Sequence, residues 1–385
     1  MKEQICLESA IEKVFEIPQP WKNSPKNMKN KLHTICSYMA MYPPSVPNHF
    51  IKNYSKEGDM VLDTFSGRGT TVLEAITLNR QVIGNDLNPL AFLLTKAKCN
   101  VPRKSSIIKK INELESQFRK NSINIATEEP KIRMIFSDYT LKQLIFLKNE
   151  LKWKKSNVDT FLASLVLGIL HGSSQGYLSL SMPNTFSMSP NYIKNYIEKN
   201  GLIKPNRDVF LLLRRKLERC YQQTNIRGKT YNKDARRMTR IKDASINLIV
   251  TSPPYTRVIR YGQFNWIRLW FLGENVKKVD NKLFFSQSLS KYRIFMKEVL
   301  NEMKRVLKPD GRIVLVIGDV KDRTNNEILN LAQDVWETCA RPLEFKLVEP
   351  IIEDIIRDET KVSKIWGTKK GNATKIERIL ILRKI

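Results

Sequence analysis

Ser252-Pro253-Pro254-Tyr255 is the stretch of this 385-residue chain with the strongest claim to chemistry. The apolar run before it, Leu248 to Val250, is too short for a helix and reads as a strand. Two prolines then end that strand, because neither can donate a hydrogen bond to a sheet. Its end must project as a rigid loop bearing a hydroxyl, two carbonyls without paired N–H groups and a flat aromatic face. Ligand sites of open parallel α/β sheets lie at such strand tips. The same tetrapeptide also serves as plain strand-terminating punctuation, so its meaning depends on the rest of the chain.

A second chemical stretch lies far upstream. Met60 to Asp63 reads as a short buried strand. It enters Thr64-Phe65-Ser66-Gly67-Arg68-Gly69-Thr70-Thr71 and then a helical pattern from Val72 to Leu78. Glycines in such a turn let backbone approach a ligand, and the helix N-terminus offers free N–H groups. The turn lacks the full G-x-G-x-x-G pattern and the G-K-[ST] of a P-loop, so neither a dinucleotide nor ATP is favoured. A second strand, Gln81 to Asn85, ends at Asp86. A carboxylate at that tip accepts from both hydroxyls of a ribose. Asp86 would also serve as a plain N-cap for the helix from Leu90 to Lys98.

The elements that must position these residues follow an α/β order with one interruption. The chain divides into an extension (1–30), a first α/β part (31–100), a mostly helical insertion (101–227) and a second α/β part (228–385). In the extension, Glu8 to Glu16 reads as a short helix, and Trp21 with the lysines after it reads as surface. The insertion shows amphipathic patterns at 107–119, 141–153, 193–199 and 209–221, and a buried one at 161–170. Strands resume at Lys229 to Asn232, ending near Asp234-Ala235, and at Arg312 to Gly318. Helices are expected at 292–307 and 326–339, and closing strands at 345–348 and 378–382.

Composition limits the function classes. The formal charge is +28, which argues for a polyanionic partner, nucleic acid before an anionic membrane surface. The insertion carries 22 Lys or Arg against 10 Asp or Glu. Its densest clusters are Lys152, Lys154 and Lys155, and Arg214, Arg215 and Lys216. With Trp153, Tyr177, Tyr192 and Tyr196 they suit a surface that grips a phosphate backbone. After Tyr255, Arg257, Arg260 and Arg268 alternate with Tyr261, Phe264, Trp266 and Trp270. That pattern fits either base stacking or a core-facing aromatic stripe. Five scattered cysteines form no C-x-x-C pair, which argues against a zinc site or disulfide framework. Three histidines show no metal-ligand spacing, so no catalytic metal is expected. The most apolar segment, 161–170, is too short to span a bilayer, and the N-terminus lacks a signal-peptide core. These features predict a cytoplasmic protein.

Taken together, Asp63 to Thr71, Asp86, Asp234-Ala235 and Ser252 to Tyr255 resemble the motifs of S-adenosylmethionine-dependent DNA amino-methyltransferases, the N4-cytosine and N6-adenine methylases. The first stretch is similar to their Asp-Pro-Phe-x-Gly-x-Gly-Thr-Thr loop, with Thr64 in place of proline. Ser37 to Pro44 is similar to the family's N-terminal motif through Tyr38, Ala40 and Pro43, although its leading His-Pro is absent. Arg305-Val-Leu-Lys-Pro-Asp-Gly311 also looks like theirs. The resemblance implies a Rossmann-like class I methyltransferase sheet, with the insertion between its second and third strands. It implies that Gly67 and Gly69 line the methionine part of the cofactor, that Asp86 binds the ribose, and that Asp234 accepts from the adenine amino group. Asp63, Phe65, Thr70, Thr71, Tyr38 and Ala40 belong to the same cofactor site by that likeness. Ser252 Oγ and the Pro253 carbonyl would accept from the exocyclic amino group, and Tyr255 would stack on a flipped-out base. Serine at the first position leans toward N4-cytosine over N6-adenine. The expected partner is double-stranded DNA, with a cognate restriction endonuclease in a restriction-modification setting. An RNA methyltransferase on the same fold, and a non-catalytic nucleic-acid-binding protein with a degenerate cofactor site, remain rival readings.

Overall fold

The computed structural model describes residues 21, 28, 30–39, 41–182, 187–255, 260–321, 327–355 and 376–385. The expected helix at 8–16 lies outside them, as do Ala40 and Arg257. Ten strands are described: β1 (Met60–Asp63), β2 (Gln81–Asn85), β3 (Lys229–Tyr231), β4 (Ile246–Thr251), β5 (Leu307–Gly318), β6 (Val320–Lys321), β7 (Ile328–Leu329), β8 (Lys346–Leu347), β9 (Ile352–Ile355) and β10 (Ile376–Arg383). Eight of them form one sheet in the order β3-β2-β1-β4-β5-β10-β8, with β9 also on β10; β6 and β7 pair separately. The β3-to-β5 pairings are parallel, and β10 runs antiparallel to β5.

This order fixes where a ligand can sit. The chain builds outward from β1 through β2 to β3, then returns to place β4 on the other side of β1. The β1 and β4 tips therefore lie side by side where the winding reverses, which is where open α/β sheets open a crevice. Register pairs Val61 with Leu248 and Leu62 with Ile249, so Asp63 and Thr251 emerge together. Alternation along the strands sends residues to two cores. Val61, Leu248, Val250, Val314 and Val316 share one core with Phe50, Val72 and Ile76 from the Ser45–Tyr54 and Thr70–Thr77 helices. Leu62, Ile249, Ile313, Leu315 and Ile317 share the other with Phe295, Val299 and Met303 of the Leu289–Val306 helix.

Between β2 and β3 the chain is helical, with Pro89–Cys99, Lys104–Arg119, Pro130–Arg133, Asp138–Glu150, Asn157–Ile169, Pro190–Asn200 and Val209–Cys220. No named strand interrupts them among the described residues. Ser137, Ser156, Ser189 and Asp208 each cap a helix by accepting a backbone N–H, which explains where the periodic runs begin. The block is not a detached body. Phe161, Leu165 and Phe210 share one core with Leu90 and Leu94 of the Pro89–Cys99 helix and with Trp266, Leu269 and Trp270.

Two expectations need correction, and one open reading is decided. Trp21 is buried at 4% exposure, and its indole N–H donates to Asp354 at 2.9 Å, so it is not a surface residue. The helix expected at 326–339 is shorter: β7 occupies its start, Leu331–Val335 is α-helical, and Trp336–Ala340 widens into a π turn. The aromatic run after Tyr255, which suited either a stacking surface or a core, faces inward, with Trp266, Trp270 and Phe271 at 5, 7 and 3% exposure. Their rings gain from burial, and the two indole N–H groups keep partners there, Trp266 on the Met188 carbonyl at 2.8 Å and Trp270 on Glu128 at 2.7 Å.

Gly84 in β2 shows how tightly the first βαβ unit is packed. A Cβ there would lie 2.4 Å from Thr95 Cγ2 and 3.0 Å from Val72 Cγ2. Both are stiff, buried, β-branched side chains. Gly84→Ala is expected to destabilise the fold by about 1–3 kcal/mol, as overpacked cores do, and denaturant unfolding would register it.

Candidate active site

The site assembles at the adjoining tips of β1, β2, β3 and β4. Asp63, at the end of β1, is 1% exposed, and its Oδ1 accepts from Thr251 Oγ1 at 2.7 Å and from the Phe65 N–H at 3.3 Å. Phe65 N also donates to Thr251 Oγ1 at 3.1 Å. Asp63 thus rivets the cofactor-type loop to the residue preceding Ser252. Burial pushes its carboxyl up to about 7, against the pull of these donors. Sequence reading missed Thr251, although a hydroxyl just before the serine, one residue past the position level with Asp63 in the parallel register, was a usable clue.

The glycine turn is held from behind. Gly67 and Gly69 have φ of +50° and +77°, the left-handed region that favours glycine. A Cβ on Gly69 would come within 3.1 Å of Thr95 Cα. Thr95 Oγ1 donates to Ser66 Oγ at 2.9 Å, and the buried Lys98 ammonium donates to the Arg68 carbonyl at 2.6 Å. Thr70 opens the helix that follows, and Thr71, fully buried, bonds the Tyr42 hydroxyl.

Asp86 faces this turn. Its Oδ2 accepts from the Gly67 N–H at 2.8 Å and its Oδ1 from the Asn88 N–H at 2.9 Å. Burial raises the carboxyl to about 6, with the two N–H bonds opposing. Asp86 is not the N-cap of the next helix. Asn88 takes that place by accepting from the Leu90 N–H, and its amide also donates to the Tyr38 hydroxyl at 3.0 Å. Tyr38 stacks on Tyr261 at 6.0 Å. Asp234 is gripped by Arg236, whose Nη2 lies 2.8 Å from Oδ2 and whose backbone N–H donates to Oδ1 at 2.9 Å. These bonds outweigh burial and hold the Asp234 carboxyl below its ordinary value.

A cavity of about 330 Å³ lies between these tips. Tyr38, Phe65, Gly67, Thr70, Asp86 and Asp234 line it, as do Ser252 and Pro254. Asp63, Gly69, Thr71, Pro253 and Tyr255 stand outside that lining; Asp63 and Thr71 are buried supports. The wall includes an aromatic group absent from the sequence-based site: Phe295 with Phe284 stacked on it at 4.1 Å, and Arg236 5.8 Å over the Phe295 ring. The adjacent Phe284-Phe285 pair next to a charged helix was the one available sequence clue. Arg260 is exposed at the rim, 4.9 Å over the ring of Phe285, which also lines the cavity. Two carboxylates with spare lone pairs, a left-handed glycine turn and flat aromatic walls fit a nucleoside with an amino acid tail.

Ser252 sits at the edge of this space. Its hydroxyl donates to the Val316 carbonyl at 2.8 Å and lies 3.1 Å from the Tyr255 hydroxyl. Tyr255 is half-buried, with its hydroxyl 3.5 Å from the same carbonyl. The other predicted contacts lie away from the cavity lining. Lys154 pairs with Glu274 at 2.8 Å and lies 5.0 Å over Trp153. Arg214 pairs with Glu115 at 2.7 Å, Lys152 bonds the Asn149 carbonyl at 2.6 Å, and Lys155 and Arg215 are exposed. Among the described residues no group of three or more His, Cys, Asp or Glu side chains could hold a metal ion, and no helix is long and apolar enough to cross a membrane.

The sheet order, the reversal at β1 and β4, and this donor and acceptor set define an S-adenosylmethionine-dependent methyltransferase. More narrowly, the chain belongs to the DNA methylase family of N6- and N4-methyltransferases, whose model matches residues 7–96 and 246–384. The unmatched span between them contains most of the helical block. Type II methyltransferase M.MvaI of Kocuria varians is 24% identical over 94% of this chain and 81% of its own length. Type II methyltransferase M.MthZI of Methanothermobacter thermautotrophicus is 37% identical over 23% of this chain and 24% of its own. A solved SAM-dependent methyltransferase from Methanosarcina mazei is 12% identical, covering 90% of this chain and 99% of its own, with a TM-score of 0.35.

Proposed function

We propose that this protein is a Type II DNA methyltransferase that modifies the N4 amino group of cytosine in a flipped-out base, in a restriction-modification setting with a cognate endonuclease. The observation that carries this reading is the Ser252 hydroxyl. Its proton is committed to the Val316 carbonyl, and its oxygen keeps acceptor capacity for an amino N–H. When bound, S-adenosylmethionine supplies an electrophilic methyl group. Phe65, Gly67, Asp86 and Asp234 would hold it, and Tyr38 closes the wall behind Gly67. An exocyclic amino group conjugated with its ring is a poor nucleophile. Acceptors at Ser252 Oγ and the Pro253 carbonyl draw density onto its nitrogen and free the lone pair for the methyl. Tyr255 and Pro254 receive the base, whose stacking offsets part of the few kcal/mol that flipping costs. Positioning supplies much of the acceleration.

Nucleoside mass spectrometry on DNA from cells expressing the protein tests this. N4-methylcytosine is expected with the wild-type chain and not with Ser252→Ala. N6-methyladenine in its place would keep the site and overturn the cytosine assignment. A methylated base found only in RNA would overturn the DNA assignment.

A further inference from the structure

The Pro190–Asn200 helix is built unlike the others in the block. Of its eleven residues only Ile193 is buried, and Tyr192 is 44% exposed. Short helices ordinarily draw their stability from a packed face. This one packs a narrow stripe, Ile193 with the half-buried Tyr196 and Ile197, and adds strong local ends: Ser189 caps the Tyr192 N–H, Pro190 opens the first turn, and Gly201 closes it at φ +56°. Beyond Pro190, the rest of it stands exposed.

One side of that rod is rich in hydrogen-bonding groups. At 100° per residue, Asn191, Lys194, Asn195 and Glu198 share a face opposite Ile193 and Ile197. Asparagine pairs bidentately with adenine, lysine with guanine, and glutamate accepts from cytosine in the major groove, which is wide enough to admit a helix. The Lys194–Glu198 pair, at 3.9 Å and exposed, costs little to open. Further cations lie on the helix and just past its end. Lys199, Lys204 and Arg133 are exposed, and Lys204 Nζ donates to the Arg133 carbonyl at 3.1 Å. By contrast, Lys154 and Arg214 are already paired with glutamates.

The helix is also fastened to the catalytic wall. Just before it, the Ser187 N–H donates to the Phe264 carbonyl at 2.9 Å. The Met188 carbonyl accepts from the Trp266 indole at 2.8 Å. Phe264 ends the short Tyr261–Phe264 helix, whose Tyr261 lines the cavity.

We propose that the Pro190–Asn200 helix is the element that reads the target sequence, entering the major groove of duplex DNA through Asn191, Lys194, Asn195 and Glu198. This rests on the DNA-methylating function proposed above. Two hydrogen bonds tie the segment before the reading helix to the wall of the pocket, so recognition sets which base reaches Ser252.

The test maps methylated positions genome-wide in cells expressing the wild-type chain, Asn191→Ala/Asn195→Ala, or Lys199→Ala. Cofactor affinity of each purified chain is the folding control. The double variant should bind cofactor normally, methylate a motif relaxed at one or two positions, and lose about tenfold or more in kcat/KM on the original site. Lys199→Ala should keep the motif, weaken every site alike and lower the salt slope of binding by about one. An unchanged motif and unchanged kcat/KM in the double variant would overturn the assignment of this helix while leaving the methylating function intact. No methylated base in DNA from wild-type cells would overturn both.

Discussion

Ser252→Ala is expected to lower the methyl-transfer rate by about 10²–10³-fold, the usual effect of losing one preorganised hydrogen-bonding group at a reacting centre. The cofactor should still bind, because Asp86, Gly67 and Asp234 are untouched and the loop keeps its other anchors. Those anchors are independent of the serine: Asp63 holds Thr251, and Thr251 holds the Phe65 N–H. Single-turnover kinetics with saturating cofactor and DNA would separate chemistry from binding. Tyr255→Phe and Tyr255→Ala sharpen the argument. The phenylalanine keeps a ring for the base and removes only the hydroxyl near Ser252 Oγ. It should cost less than the alanine, which also forfeits stacking of about 1–3 kcal/mol per base. Equal rates for Ser252→Ala and the wild type would remove the serine from the mechanism.

Much of this architecture was legible because its signals are local. A three-residue apolar run, Met60 to Leu62, leading into the Gly67-Arg68-Gly69 turn, and a run ended by Pro253-Pro254, fix strand ends by backbone chemistry alone. The class of sheet came through the family likeness, and four of the insertion's helices begin where a serine or aspartate caps them. What the chain did not reveal depends on distant partners. Trp21 meets Asp354 across 333 positions, so nothing near Trp21 marks it as buried. The Phe284–Phe295 wall joins a loop to a helix and has no spacing rule. The aromatic run from Trp266 carried a helical period that suits a core or a stacking surface equally, and only the helices of the insertion decide for the core. Asn88 displaced Asp86 as the helix cap because Asp86 was needed two residues earlier by Gly67 and Asn88 N–H groups.

Cofactor affinity should rise with pH through the range in which Asp86 ionises. Burial holds this carboxyl at about 6, above its ordinary 3.8. Only the carboxylate can accept from the Gly67 and Asn88 N–H groups and two ribose hydroxyls at once. Below pH 6 each unit should therefore weaken binding by up to about tenfold, with a plateau above pH 7. Asp86→Asn should bind poorly and show a flatter profile, since its amide cannot ionise. The apo protein should respond in the opposite sense. A carboxyl whose folded value is raised contributes stability that is complete below its unfolded value and fades as pH climbs through the folded one. Asp86 at about 6, and Asp63, Glu74 and Glu377 at about 7, all carry that sign. Apo stability from these four groups should thus decline between about pH 4 and pH 7, while the rise in melting temperature on adding S-adenosylmethionine grows over pH 5 to 7. Thermal unfolding with and without cofactor reads both trends in one experiment. A cofactor-induced shift independent of pH would mean that the ribose is held without the Asp86 charge.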